Sequence, residues 1–194
     1  MRPESRANGE DCTRIKLYQK YDEWKNYAHY IPSRRAATLF MLLEQYVNQA
    51  IRQYERIQET MKVLDSKNLP ILFSDCHFYF ISINKVSELV FKFYDVTGFE
   101  EIIDVLEKNK KYFKMYDEIR NHYEHIEERT TTIKQEFASP KRYLSDFGNI
   151  HDEKYSFGGK DYDISEKSII TLKKIYETII EIVKKYSGFT NSIR

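Results

Sequence analysis

The chain has 194 residues, of which 41% are hydrophobic and 31% are charged, and its formal net charge at pH 7 is +1. This composition is typical of one soluble globular domain, and the near-zero net charge excludes a general electrostatic attraction to nucleic acid, so any RNA contact would be local. Only 6 glycines and 4 prolines are present, which favours long helices over a β fold with many turns.

Cys12 and Cys76 stand alone in the sequence and form no zinc-binding pattern, which favours a reduced intracellular setting. No basic stretch followed by an apolar segment occurs near the start, so a secretory signal is not expected. Polar side chains interrupt the most apolar stretch, residues 69–96, which therefore indicates a buried helix and not a membrane span. We expect a cytoplasmic protein without membrane association. Its many lysines and isoleucines are typical of an AT-rich bacterial genome.

The chain divides into a polar start and one continuous domain. Residues 1–12 predict a disordered N-terminus, and residues 13–190 form the predicted single domain. Aromatic side chains recur every third residue from Tyr18 to Tyr27, which predicts a short accessory helix over residues 14–30. We interpret this helix as packing on the main domain; the alternative is an arm that docks a partner.

Four longer segments have apolar residues at three- and four-residue spacing, which predicts four long helices. They cover about 34–66, 71–96, 99–129 and 166–187, and Asn68-Leu69-Pro70 breaks the chain between the first two. Pro32-Ser33 signals the start of the first helix, Gly98 the end of the second, and Ser165 the start of the last. The predicted fold is therefore an all-α, four-long-helix up-and-down bundle with the N-terminal accessory helix.

Between the third and fourth long helices the sequence pattern changes. Tyr155-Ser156-Phe157 and Lys160–Ile164 are short alternating runs around Gly158-Gly159, which predicts a small β-hairpin within residues 143–164. The run from Leu144 to Ile150 is a candidate third strand. Because the hairpin follows the third helix, it is placed where it can overhang the end of that helix.

Near the predicted end of the third helix lies the run RNHYEH, from Arg120 to His125. Arginine holds a phosphate through a fixed fork of donors, and histidine is suited to proton transfer near neutral pH. Together they are a minimal set for cleaving RNA without a metal. The pattern R-N-x-x-x-H near the end of a long helix resembles the R-x4-6-H signature of the HEPN superfamily. Many HEPN proteins are metal-independent ribonucleases of toxin, antiphage and RNA-processing systems.

The resemblance implies a metal-independent endoribonuclease of toxin, antiphage or stress defence that acts on RNA and needs no cofactor. The motif helices of two HEPN protomers meet, so a homodimer is expected, with paired Arg120 and His125 residues in each site. His125 would deprotonate the ribose 2′-hydroxyl or protonate the leaving 5′-oxygen, and Arg120 would stabilise the phosphorane. An antitoxin or a nucleotidyltransferase is the expected protein partner.

Three neighbouring residues are expected to support the catalytic pair. On an ideal helix Arg120 and His125 lie roughly 140° apart, a gap that the long arginine side chain can span. Asn121 lies one turn before His125 and can hydrogen-bond to it. Glu124 can pair with Arg120, and His122 is expected to have a lesser role.

One residue departs from the pattern of some HEPN toxins. Some HEPN toxins carry a modified tyrosine two residues after the histidine, where this chain has Glu127, so regulation through that tyrosine is not expected.

Two alternatives to the ribonuclease function fit the sequence. The first alternative is a catalytically silent HEPN module that binds nucleotide, RNA or a protein. The second is a plain helical-bundle dimer in which Arg120 and His125 serve structure only, on a solvated helix face with ion pairs between neighbouring turns. The lysines of the run Lys108–Lys111 fit a solvated helix face better than an RNA contact.

Overall fold

The computed structural model describes residues 34–124, 147–157 and 160–186. The helices in these residues are α1 (Arg34–Lys62), α2 (Leu69–Thr97), α3 (Glu100–Lys108), α4 (Lys110–Glu124) and α5 (Glu166–Tyr186), and the strands are β1 (Phe147–His151), β2 (Lys154–Phe157) and β3 (Lys160–Asp163). The predicted helical class is confirmed, with one small antiparallel sheet added. The predicted disordered segment 1–12 and accessory helix 14–30 lie outside the described residues.

The long helices α1 and α2 form the centre of the described fold. α1 buries one apolar face, whereas α2 is buried along most of its length, as its apolar sequence predicts. Gly98 ends α2 in the left-handed conformation (φ 67°), and its N–H donates to the Tyr94 carbonyl at 2.7 Å. A side chain at this position would be strained, which is why glycine is suited to it.

The predicted first helix is four residues too long, because α1 ends at Lys62 and not near Ser66. Asp65 explains the early end: its Oδ1 accepts hydrogen bonds from the backbone N–H groups of Lys67 and Asn68, both at 2.9 Å. An aspartate that bonds the backbone two or three residues ahead favours a turn over a continued helix.

The predicted third helix is wrong as one continuous element, because it breaks at Asn109 into α3 and α4. The Asn109 backbone (φ −107°, ψ 13°) is outside the helical region, and its Nδ2 donates to the Val105 carbonyl at 2.8 Å. The Asn109 backbone N–H also donates to the Val105 carbonyl, at 3.2 Å, so the side chain adds a second bond to a carbonyl at the end of α3, and the non-helical Asn109 backbone marks the break. Within the described residues α4 ends at Glu124.

The predicted hairpin and its third strand are both present, with strand order β1-β2-β3. Phe157 pairs with Lys160 across the predicted turn, and Tyr155 pairs with Tyr162. The turn residues 158–159 lie outside the described residues. Asp152 and Glu153 join β1 to β2 with φ values of 46° and 58°, the signature of a type I′ turn.

Buried tyrosine hydroxyls join α5 to α2 and α4. Tyr79 and Tyr116 both bond the Ser168 hydroxyl, the Tyr79 contact at 2.7 Å, and Tyr112 donates to the Ser168 carbonyl at 3.1 Å. The Tyr116 hydroxyl also donates to the carbonyl of Asp163, at the end of β3, at 2.6 Å. Burial raises the pKa of the phenols of Tyr79, Tyr112 and Tyr116, so they remain neutral hydrogen-bonding groups.

No helix within the described parts of the chain is long and apolar enough to cross a membrane.

Candidate functional site

Residues 120–124 of the RNHYEH run form the end of α4, and the structure describes the side chains from Arg120 to Tyr123. Glu124 is described as the last residue of the helix, and His125 lies outside the described residues. One side of α4 packs on α2, and another side meets β3. The motif turn therefore lies between the long helices and the sheet.

The Arg120 side chain lies along α4, beside other side chains of the same helix. Its side chain is only 24% exposed, and its Nη1 lies 3.9 Å from Asp117 Oδ1. Nη1 also donates to Asn121 Oδ1 at 3.4 Å, and Asn121 Nδ2 donates to Asp117 Oδ2 at 3.5 Å. Asp117 precedes these residues by three and four positions, the spacing at which helical side chains meet. The carboxylate and the amide thus orient the guanidinium.

An amide from α2 completes this arrangement. Asn84 is buried, at 4% exposure, and its Nδ2 donates to Asp117 Oδ1 at 3.1 Å. Its Oδ1 has no hydrogen-bond partner among the described residues. Leaving such a buried acceptor unpaired costs about 1–3 kcal/mol. We refer to Asn84, Asp117, Arg120 and Asn121 as the amide–arginine cluster.

His122 belongs to a different side of α4. It follows Arg120 by two positions, which separates the two side chains by roughly 200° around an ideal helix. Its ring centroid lies 5.3 Å from that of Phe157 and 6.4 Å from that of Tyr162. The structure therefore places His122 against the sheet and not in the amide–arginine cluster.

Tyr123 connects the motif turn to both of its neighbours. Its ring stacks on His77 of α2 with centroids 4.5 Å apart, and its hydroxyl donates to the Tyr155 hydroxyl on β2. Burial raises the pKa of the Tyr123 phenol and raises the pKa of Tyr155 to about 12. Both phenols are therefore protonated at neutral pH and act as packing and hydrogen-bonding groups.

An ion pair holds β3 along the outer side of α4. Lys160 Nζ donates to Glu118 Oε2 at 2.9 Å, and this bond lowers the pKa of Glu118. Both partners are partly exposed, so the pair alone contributes little stability. With the aromatic contacts of His122 and Tyr123, it places the hairpin over the motif half of α4, as the sequence order predicts.

The arrangement offers one oriented cation, two amides and a carboxylate on one side of α4. A guanidinium in this setting can bind a phosphate, although Asp117 offsets part of its charge. In the described portions of the chain, no three histidine, cysteine, aspartate or glutamate side chains are grouped so that they could hold a metal ion.

The sequence motif does not identify Asn84 or Asp117. The signal for Asn84 is an amide in an otherwise apolar helical stretch, and the signal for Asp117 is its spacing from Arg120 and Asn121. Their contact depends on which face of α2 meets α4, and periodicity along one helix does not provide that.

In comparisons of the chain with protein-family models, curated proteins and solved structures, no match was found. The resemblance to the HEPN superfamily therefore rests on the motif and on the helical pattern.

Proposed function

We propose that the protein is a metal-independent endoribonuclease of the HEPN type, acting in toxin, antiphage or stress defence in the bacterial cytoplasm. Arg120 and His125 are the proposed catalytic residues. Asn121 and Glu124 support them from the same turn of helix, and His122 contributes mainly by packing against the sheet.

The observation that supports this proposal most is the orientation of Arg120. An arginine on a helix surface ordinarily samples many rotamers, but this one is about three-quarters buried and lies between Asp117 and Asn121. Donors that are already oriented stabilise a developing charge well, because they need no reordering during the reaction. An arginine held in this way suits the negatively charged phosphorane of RNA cleavage.

In the proposed reaction the ribose 2′-oxygen attacks the adjacent phosphorus, and the bond from phosphorus to the 5′-oxygen breaks. The 2′-hydroxyl gives up its proton and the leaving oxygen gains one, and His125 performs one of these transfers. Arg120 stabilises the charge on the phosphorane. The products are a 2′,3′-cyclic phosphate and a 5′-hydroxyl, and no metal takes part.

Two proton transfers are best served by two groups, whereas each chain has one histidine at the motif position. We therefore propose a symmetric homodimer in which the C-terminal halves of two α4 helices meet. A ribonuclease toxin also requires restraint in its own cell, and we propose an antitoxin as the partner protein. A nucleotidyltransferase is the second choice, because Glu127 stands where its target tyrosine would be.

The second candidate is a catalytically silent HEPN module that binds nucleotide, RNA or a protein. Asp117 favours this candidate, because its carboxylate lies 3.9 Å from the Arg120 guanidinium and competes with a phosphate for it.

The test is incubation of purified protein with total RNA in EDTA. We expect wild type to cleave RNA and His125→Ala or Arg120→Ala to lower the rate by roughly two to four orders of magnitude. Arg52→Ala on α1 and His151→Ala on β1 remove exposed side chains of the same types and serve as controls. Folded but inactive wild type would favour the silent module, and unfolding of both motif variants would indicate a structural role.

A further inference from the structure

Asn84 is difficult to explain by stability alone. It lies in the buried part of α2 between apolar residues such as Ile83 and Val86, and its Oδ1 has no hydrogen-bond partner among the described residues. The buried side chains of Asp75, Ser82 and Ser168 have hydrogen-bond or ion-pair partners, whereas Gln53 Oε1 on α1 shares the unpaired state of Asn84 Oδ1 among the described residues. An apolar residue of similar size would avoid the unpaired acceptor at position 84.

Among the residues that the structure describes, the Asn84 side chain forms one hydrogen bond, and its acceptor is Asp117. Asp117 is 51% exposed, so without a restraint its carboxylate could adopt several rotamers. The bond from Asn84 to Oδ1 selects one of them. In that rotamer Oδ2 accepts from Asn121, and Oδ1 lies 3.9 Å from the Arg120 guanidinium.

We propose that Asn84 is a positioning residue of the amide–arginine cluster. Its buried amide fixes the Asp117 carboxylate, and this carboxylate holds Arg120 and Asn121 in the orientation that receives the substrate phosphate. The catalytic part of this inference rests on the proposed ribonuclease function. The positional part concerns the Arg120 side chain itself and is measurable without RNA.

The experiment compares Asn84→Leu with a matched control, Gln53→Leu. Gln53 Oε1 on α1 is also buried without a hydrogen-bond partner in the described part of the chain, but Gln53 is outside the cluster. Both substitutions remove an unpaired amide oxygen, so both should raise Tm, by about 2–4 °C for each unpaired group removed. Only Asn84→Leu should affect Arg120.

The second readout is side-chain ¹⁵N NMR of the Arg120 guanidinium, assigned by its loss in Arg120→Lys. Rotation about the Nε–Cζ bond should be faster in Asn84→Leu than in wild type and unchanged in Gln53→Leu. Asp117→Ala removes the same restraint at a half-exposed position on α4, without introducing a new side chain into the core, and should also speed the rotation.

The third readout is RNA cleavage. We expect kcat to fall roughly 10- to 100-fold in Asn84→Leu, since small displacements of a catalytic group have effects of this size, with KM nearly unchanged. The double variant Asn84→Leu/Asp117→Ala should have a kcat only slightly below that of Asp117→Ala, because both substitutions remove the same contact. If wild type cleaves no RNA, the proposed function fails, while the NMR comparison still decides the positional role. Unchanged Arg120 rotation in both Asn84→Leu and Asp117→Ala would overturn the proposal.

Discussion

Arg120 and His122 are two residues apart, yet they belong to different parts of the structure. Arg120 lies in a polar cluster with Asp117 and Asn121, whereas the His122 ring lies against Phe157 in the sheet. Polar side chains outside the core usually contribute little to stability, and buried ring contacts contribute more. Replacing Arg120 should therefore mainly lower the rate of RNA cleavage, whereas replacing His122 should mainly lower the free energy of unfolding.

Replacing His122 by Ala should lower the free energy of unfolding by about 1–2 kcal/mol, because the ring contacts with Phe157 and Tyr162 are lost. RNA cleavage should fall less than in His125→Ala. Urea unfolding measures the first effect, and His122→Phe, which retains an aromatic ring, should recover most of the stability. A loss of cleavage equal to that of His125→Ala would contradict this assignment.

The site could be predicted from sequence only where its residues are neighbours in the chain. Arg120 and Asn121 are within one turn, so a local pattern identifies them, although the pattern also includes His122, which packs elsewhere. Asn84 and Asp117 are 33 positions apart and meet only because α2 packs on α4. Their role depends on tertiary contacts, which a single sequence does not specify.

At the scale of elements, prediction was accurate where the apolar period was long and the ends carried strong signals. α2 begins close to Pro70 and ends before Gly98, and α5 begins after Ser165, all close to the predicted positions. The break at Asn109 was not predicted, because it has no glycine or proline and its lysine neighbours favour helix. The four-helix up-and-down arrangement of the whole domain remains a prediction.

The turn between β1 and β2 contains a residue that is poorly suited to it. Glu153 has φ 58°, in the left-handed region where a side chain costs roughly 1–2 kcal/mol. Glu153→Gly should therefore raise the free energy of unfolding by about 1 kcal/mol. Glu59→Gly, on an exposed helical site of α1, should lower it by about the same amount. Chemical denaturation of both variants is the measurement, and destabilisation by Glu153→Gly would contradict the turn geometry.

An ion pair between α3 and α5 predicts a pH dependence of stability. Glu101 is bonded by Lys185 and by the Tyr186 hydroxyl, and these bonds lower the pKa of Glu101 to about 2. A carboxyl whose pKa is lowered in the folded state stabilises the protein above its unfolded value near 4.5, and this contribution is lost as pH falls from there towards 2.

Glu101→Gln should accordingly be less stable than wild type at pH 7, and the difference in Tm should shrink towards zero as pH falls below about 4.5. The contribution should also weaken in high salt, because the group is exposed. Thermal unfolding from pH 7 to pH 2.5 measures this, with Glu59→Gln on α1 as the control. A Tm difference that does not change with pH would contradict the ion-pair account.

At the scale of the whole molecule, α4 has the sheet on one side and α2 on another. We propose that its C-terminal half contacts a second copy of the chain. Light scattering at tens of micromolar should give twice the mass of the chain. In this dimer the C-terminal halves of the two α4 helices should be close together. Asn121→Cys should therefore form an intermolecular disulfide, whereas Lys62→Cys at the end of α1 should not. A monomer, or a dimer cross-linked only through Lys62→Cys, would count against the composite site.

The proposed activity is cleavage of RNA by attack of the 2′-hydroxyl without a metal. The most direct measurement is end analysis of a defined single-stranded RNA after incubation with wild type in EDTA, beside the same RNA with a 2′-deoxy nucleotide at the cleaved position. The proposed mechanism predicts a 2′,3′-cyclic phosphate and a 5′-hydroxyl, no cleavage at the deoxy position, and loss of both products in His125→Ala. Cleavage that requires a divalent metal, leaves a 5′-phosphate, or continues at the deoxy position would contradict it.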